Sequence, residues 1–173
     1  VSPKQFKDDD FTKKVTDILQ NTQLDPRMLE LEVTEGMVME DTKIAIDKLK
    51  TLNAMGIYIS VDDYGTGYSS LSYLRRLPIH ALKIDQSFIV DLMEDSNAQA
   101  IVSSTIILAH KLGLKVVAEG VETVGQRQLL QKWQCDELQG YLISKPLPAN
   151  QFPIMFSQYG PAGAFEQNVT VIM

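Results

Sequence analysis

Ser60-Val61-Asp62-Asp63-Tyr64-Gly65-Thr66-Gly67-Tyr68-Ser69-Ser70 joins the end of an apolar run to two adjacent carboxylates and a glycine-bearing loop. It reads as a buried strand that delivers acidic side chains to a lid. Paired carboxylates at a strand end suit hard divalent cations, which take oxygen ligands. In a regular strand Asp62 and Asp63 would point to opposite faces. Both serve one site only where pleating stops, and Gly65 and Gly67 are placed to supply that stop. The same residues also fit an ordinary turn or helix entry. No Lys-Ser or Lys-Thr follows the glycines, so this is not a phosphate-binding loop of the Walker type. The third glycine of a dinucleotide fingerprint is absent too.

On either side of this stretch, strand-like and helix-like runs alternate. Helical spacing predicts helices over residues 11–20, 42–55, 70–77, 88–93, 98–112 and 123–133. Gly56 and Gly113 close two of them, and Pro78 stops another. Strands are predicted over 28–33, 57–61, 81–84, 114–118, 135–140 and 141–143. This alternation implies a parallel sheet with helical crossovers, either a barrel or an open doubly wound sheet. Charged and polar residues gather where strands end: Glu32, Asp62 and Asp63, Lys83 and Asp85, Glu119 and Glu122, Gln139. That is the layout of the active face of a (β/α)₈ barrel, a fold that typically needs about 250 residues. The roughly six strands expected here match such a barrel without its first strands. Residues 1–155 are expected to form this domain. Residues 156–173 are expected to be a tail, with no periodicity from 160 onward.

Composition narrows the function. The 173 residues are 45% hydrophobic, enough for one core. The net charge of −6, without a basic stripe, argues against DNA as a ligand. A small phosphorylated ligand remains compatible, because a bound metal supplies local positive charge. The one cysteine, Cys135, cannot form an internal disulfide and reads as a small buried hydrophobe. No apolar run nears 18 residues and no secretory signal opens the chain, so a cytoplasmic domain is expected. The methionines and Trp133 are expected in the core. His80 and His110 read as structural rather than metal-ligating, since magnesium sites favour carboxylates.

Five ordered segments carry a family resemblance. They are Leu29-Glu30-Leu31-Glu32-Val33-Thr34-Glu35, Asp62-Asp63-Tyr64-Gly65-Thr66-Gly67-Tyr68-Ser69-Ser70-Leu71, Leu82-Lys83-Ile84-Asp85, Val117-Ala118-Glu119-Gly120-Val121-Glu122-Thr123 and Gln139-Gly140-Tyr141. Together they resemble the EAL-domain phosphodiesterases, which hydrolyse the bacterial second messenger cyclic di-GMP to linear pGpG. The resemblance implies a TIM-barrel-like (β/α)₈ EAL fold and two ions, Mg2+ or Mn2+. It implies that Glu32, Asp62 and Asp63 are metal ligands, with Asp62 bridging both ions. Lys83 would orient the attacking water or a phosphate oxygen, and Glu119 would be a general base or hold a metal-bound water. Glu122 and Gln139 would complete the pocket. Glu35 would anchor the lid built from Gly65, Thr66 and Gly67, although an acid there also suits a helix N-terminus.

The family's namesake Glu-Ala-Leu glutamate and an asparagine ligand on its second strand have no counterpart in this sequence. The resemblance therefore implies a partial domain that is weak or inactive by itself. It also implies a homodimer, and GGDEF or sensor domains in the parent protein. Two other readings stay open. One is a receptor that binds cyclic di-GMP without cleaving it, and the other is a regulatory interaction domain.

Overall fold

The computed structural model describes residues 1–40, 42–65, 74–148, 150–151, 153 and 170–171. Runs rich in branched residues form the strands Glu30–Thr34 (β1), Tyr58–Tyr64 (β2), Ala81–Ile84 (β3), Lys115–Ala118 (β4), Glu137–Leu138 (β5) and Thr170–Val171 (β6). The helices are Pro3–Lys7 (α1), Phe11–Thr22 (α2), Glu35–Glu40 (α3), Thr42–Ala54 (α4), Gln86–Val90 (α5), Ser96–Lys111 (α6) and Val124–Lys132 (α7).

All neighbouring strands are parallel, and their spatial order β1-β2-β3-β4-β5-β6 follows the chain. A doubly wound sheet reverses direction at a switch point. This sheet does not reverse, which removes the open alternative and leaves the wall of a barrel. Alternation along β1 and β2 sorts the side chains. Val33, Ile57, Ile59 and Val61 join the core with Leu49 and Leu52 of α4. Residues of the other parity, Glu30, Glu32, Ser60 and Asp62, make polar contacts instead. Ser60 Oγ donates to Glu30 Oε1 at 2.6 Å, one layer below the acidic end of the sheet.

Several boundaries differ from expectation for local reasons. The strand predicted from residue 28 begins at Glu30, because Asp25 caps a 3-10 turn over Pro26–Met28. Met28 is 76% exposed and Met93 is also exposed, so these methionines do not belong to the core. Residues 141–143 form a turn, not a strand: Leu142 N donates to Val121 O and Ile143 N to Gly140 O. Helix α1, too short to show apolar spacing, opens with a capping box: Ser2 Oγ accepts from Gln5 N, while Gln5 Oε1 accepts from Ser2 N. The predicted helix over 70–77 lies largely outside the described residues. Strand β6 pairs with β5 in the stretch that shows no periodicity. Among the described residues no helix is long and apolar enough to cross a membrane.

Cys135 is 1% exposed, and its thiol donates to Val116 O and Glu137 O. Burial pushes the thiol up to about 12. The folded thiol thus titrates above the unfolded value of about 8.5. Its contribution to stability is intact below that pH and declines above it by about 1.4 kcal/mol per pH unit. Thiol labelling at pH 8 should run on the order of 10³ slower than for a free cysteine and accelerate only on unfolding. Fast labelling of the native chain would show that the Cys135 environment is open.

Candidate active site

The site is assembled at the carboxyl ends of β1 to β5. Its first element is an irregularity in β2. Val61 pairs with Leu82 and Tyr64 with Ile84, so β2 holds one more residue than β3 over the same span. Asp63 absorbs the extra residue with φ +55°, the left-handed region that aspartate tolerates better than most residues. Pleating therefore stops at Asp63 itself, two residues before Gly65, where the sequence had placed the break. Gly65 continues the departure with φ +99°, and a Cβ there would lie 3.1 Å from the Phe88 ring.

The kink lets both carboxylates face one region. Asp62 Oδ1 lies 3.6 Å from Lys83 Nζ. The Asp63 carboxyl lies close enough to that of Asp85 for the two charges to interact. Asp85 also caps α5, its side chain accepting from Ser87 N at 2.9 Å. The Ser87 hydrogen bonds hold the Asp85 carboxyl below its ordinary value, while burial, then Asp62 and Asp85, push that of Asp63 up.

Lys83, the third residue of β3, is the centre of the arrangement. Its side chain is 4% exposed. Nζ donates to Glu32 Oε1 at 2.5 Å and to Glu119 Oε1 at 2.7 Å. Burial by itself favours the neutral amine, but the bonds to Glu119 and Glu32 outweigh it and hold the ammonium above its ordinary value. Glu119 is raised by its own burial, against the pull of Lys83, with Asp62 and Glu32 adding to the rise. One cation thus faces three carboxylates, from β1, β2 and the end of β4. It neutralises one of them.

Beside this cluster opens a cleft of about 330 Å3 lined by Asp63, Asp85, Glu119, Glu122, Gln139 and Tyr141, among others. Glu35 is the first residue of α3 and 8% exposed, and its Oε2 accepts from Gly65 N at 3.4 Å. Thr66 and Gly67 lie outside the described residues. Glu32, Asp62 and Glu119 thus each approach Lys83, while Asp63, Glu119, Glu122 and Gln139 line the adjoining cleft. Asp85 received no role from the sequence, although its position two residues after Lys83 places it at the same strand end. Both histidines lie elsewhere. His80 Nδ1 accepts from Ile59 N, and His110, exposed rather than packed, pairs with Asp136 through Nε2 at 2.8 Å.

Among the described residues no three acidic, imidazole or thiol side chains stand close enough to hold a metal ion as they are placed. The donors nevertheless have the right chemistry. They are carboxylate oxygens on adjacent strand ends, and three of them already converge on one positive group.

Comparison with known proteins identifies the family. Residues 1–146 match the EAL domain. The chain belongs to the EAL domain family. It is 46% identical over 152 residues to the signaling protein YkoW of Bacillus subtilis, covering 88% of this chain and 19% of that protein. It is 47% identical over 151 residues to MucR of Pseudomonas aeruginosa, a bifunctional diguanylate cyclase and cyclic di-GMP phosphodiesterase, covering 87% and 22%. The chain therefore spans about a fifth of these relatives. The MucR phosphodiesterase in complex with c-di-GMP superposes with a TM-score of 0.86, covering 88% of this chain and 62% of that one. BlrP1 of Klebsiella pneumoniae, solved with c-di-GMP and manganese, is 34% identical with a TM-score of 0.75, covering 82% and 36%. The EAL fold expected from the sequence is the fold observed.

If Lys83 is the charge that holds the acidic cluster together, Lys83→Met leaves three carboxylates unpaired. The folded chain should lose about 3–5 kcal/mol at neutral pH, as when one partner of a buried pair is removed. Glu119 already titrates above its unfolded value, and without Lys83 it rises further, so the loss grows above pH ~4.3 and shrinks in acid. Thermal melts in a chelator should show Tm recovering as pH falls from 7.5 to 5. A loss independent of pH would mean that Lys83 acts through packing alone.

Proposed function

We propose that this chain supplies most of the centre of a cyclic di-GMP phosphodiesterase that opens the cyclic dinucleotide to linear pGpG. The observation that carries the reading is the charge deficit at the strand ends, where three carboxylates share one ammonium beside an acidic cleft. Such a cup repels a phosphodiester unless cations complete it. The named activities of the relatives select cyclic di-GMP as substrate, and the manganese complex of BlrP1 favours divalent ions, Mg2+ or Mn2+.

In this reading Glu32, Asp62 and Asp63 hold the cations. Bound there, the ions would lower the pKa of a water and neutralise charge on the phosphate. Lys83 would then release part of its contact with Glu32 and Glu119 and orient the water or a phosphate oxygen. Glu119, whose carboxyl is held above its usual range, would accept the proton of the attacking water. The oxygen of that water bonds to phosphorus, the P–O3′ bond breaks, and the leaving oxygen takes a proton to become the 3′-hydroxyl of pGpG. Glu122, Gln139 and the loop anchored by Glu35 would bound the nucleotide. The curated relatives are about five times longer, which leaves room for GGDEF or sensor domains in the parent protein.

The test is turnover by the intact parent protein with Mg2+ or Mn2+, followed by chromatography of cyclic di-GMP and pGpG. Asp62→Ala should lower kcat by at least about 100-fold, and a chelator should abolish turnover, reversibly on adding Mn2+. Binding of cyclic di-GMP without turnover under either metal would establish a receptor instead.

A further inference from the structure

The connection from β4 to α7, residues 119–123, brings Glu119 and Glu122 to the cleft. Its shape is set from within α7 by one buried amide. Gln126 is 4% exposed, and both ends of its side chain are bonded. Oε1 accepts from Glu122 N at 2.8 Å and from Thr123 N at 2.9 Å. Nε2 donates to Ile89 O at 2.8 Å, across 37 residues. A capping box accounts for the bond to Thr123 N, and for the 3.2 Å bond from Gln126 N to Thr123 Oγ1. It does not require the bonds to Glu122 N or to Ile89 O.

Ile89 belongs to α5, the helix that Asp85 caps and whose first residue, Gln86, lines the cleft. A second contact joins the same two elements at the rim. A Cβ on Gly120 would lie 2.6 Å from Gln86 Cβ, so only glycine lets the loop pass there. The loop and α5 therefore meet twice, backbone against side chain at the cleft and through Gln126 beneath it. Glu119 and Glu122 are held on one wall, Asp85 on the other.

We infer that Gln126 is a positioning residue. It locks residues 119–123 onto α5 and so fixes the distance between the two acidic walls of the cleft. The kinetic part of this inference rests on the phosphodiesterase reading; the mechanical part does not. Two variants separate its bonds. Gln126→Glu keeps an acceptor for both N–H groups but, ionised, has no donor for Ile89 O. Gln126→Leu removes both.

Amide hydrogen exchange and steady-state kinetics on the intact protein test it together. In Q126E the amides of Glu122 and Thr123 stay protected, while those of α5 exchange about tenfold faster. In Q126L both sets do. With cyclic di-GMP, kcat should fall about 10- to 100-fold in Q126L, as expected for misplaced catalytic groups, and less in Q126E. KM should change by less than about threefold in both. A residue that serves stability alone would lower Tm and leave kcat of the folded protein unchanged. The inference is overturned by a folded Q126L with kcat within twofold of wild type, or by Q126E with unchanged exchange in α5. Should Q126L fail to fold, the Q126E exchange decides. Should the wild type not turn over cyclic di-GMP, the proposed reaction fails by itself, and the exchange pattern still decides on Gln126.

Discussion

The acidic end of this sheet depends on one buried ammonium. Glu32, Asp62 and Glu119 come from three different strands, and among the described residues Lys83 is the cation that offsets their mutual repulsion. The ammonium is itself buried and survives as a charge only because those acids surround it. Each side therefore requires the other. A lone buried lysine would lose its proton, and a lone carboxylate cluster would take protons up. The pairing is a weak argument for stability, because desolvation offsets most of the attraction. It is a stronger argument for geometry. Three carboxylates gathered around a single nitrogen are held together in the absence of any further cation.

That geometry needs the kink in β2. An unbroken strand would send Asp63 toward the helices, into the layer filled by Val61 and Leu49. The left-handed residue at Asp63 turns its carboxyl to Asp85 instead. The strain of a positive φ is modest for aspartate. The same turn sets Asp63 beside the carboxyl that caps α5. The bulge thus sets both the second acidic pair and the start of the helix that Gln126 grips from below.

Much of this was legible in the chain. Alternation located β1 and short apolar runs between helical stretches located β2 to β4, and the acids at their ends marked the active face, because parallel strands put all carboxyl ends on one side. What sequence could not supply was the partner of each acid. Lys83 meets Glu32 across 51 residues, and no local pattern reveals that. The bulge was misplaced because the glycines at 65 and 67 are the obvious breakers, whereas aspartate enters the left-handed region without advertising it. Asp85 was visible at a strand end, yet its role as both cap and partner of Asp63 depends on that bulge. The short helix α3 escaped because Glu35 directly follows strand residues, leaving no turn signal between the two.

Charge finally constrains what the cleft can accept. Asp63, Asp85, Glu119 and Glu122 line it, and the chain as a whole is net negative. Long-range attraction therefore cannot draw in an anionic nucleotide. A phosphodiester binds here only if positive charge arrives first or with it, because one ammonium already committed to three carboxylates has little field to spare. The same deficit explains how such a site discriminates. A neutral ligand would gain little from cations held at the cup, whereas a phosphodiester would gain from each cation it touches. Acidity that looks hostile to a nucleotide would, under the proposed function, make nucleotide and metal binding mutually dependent.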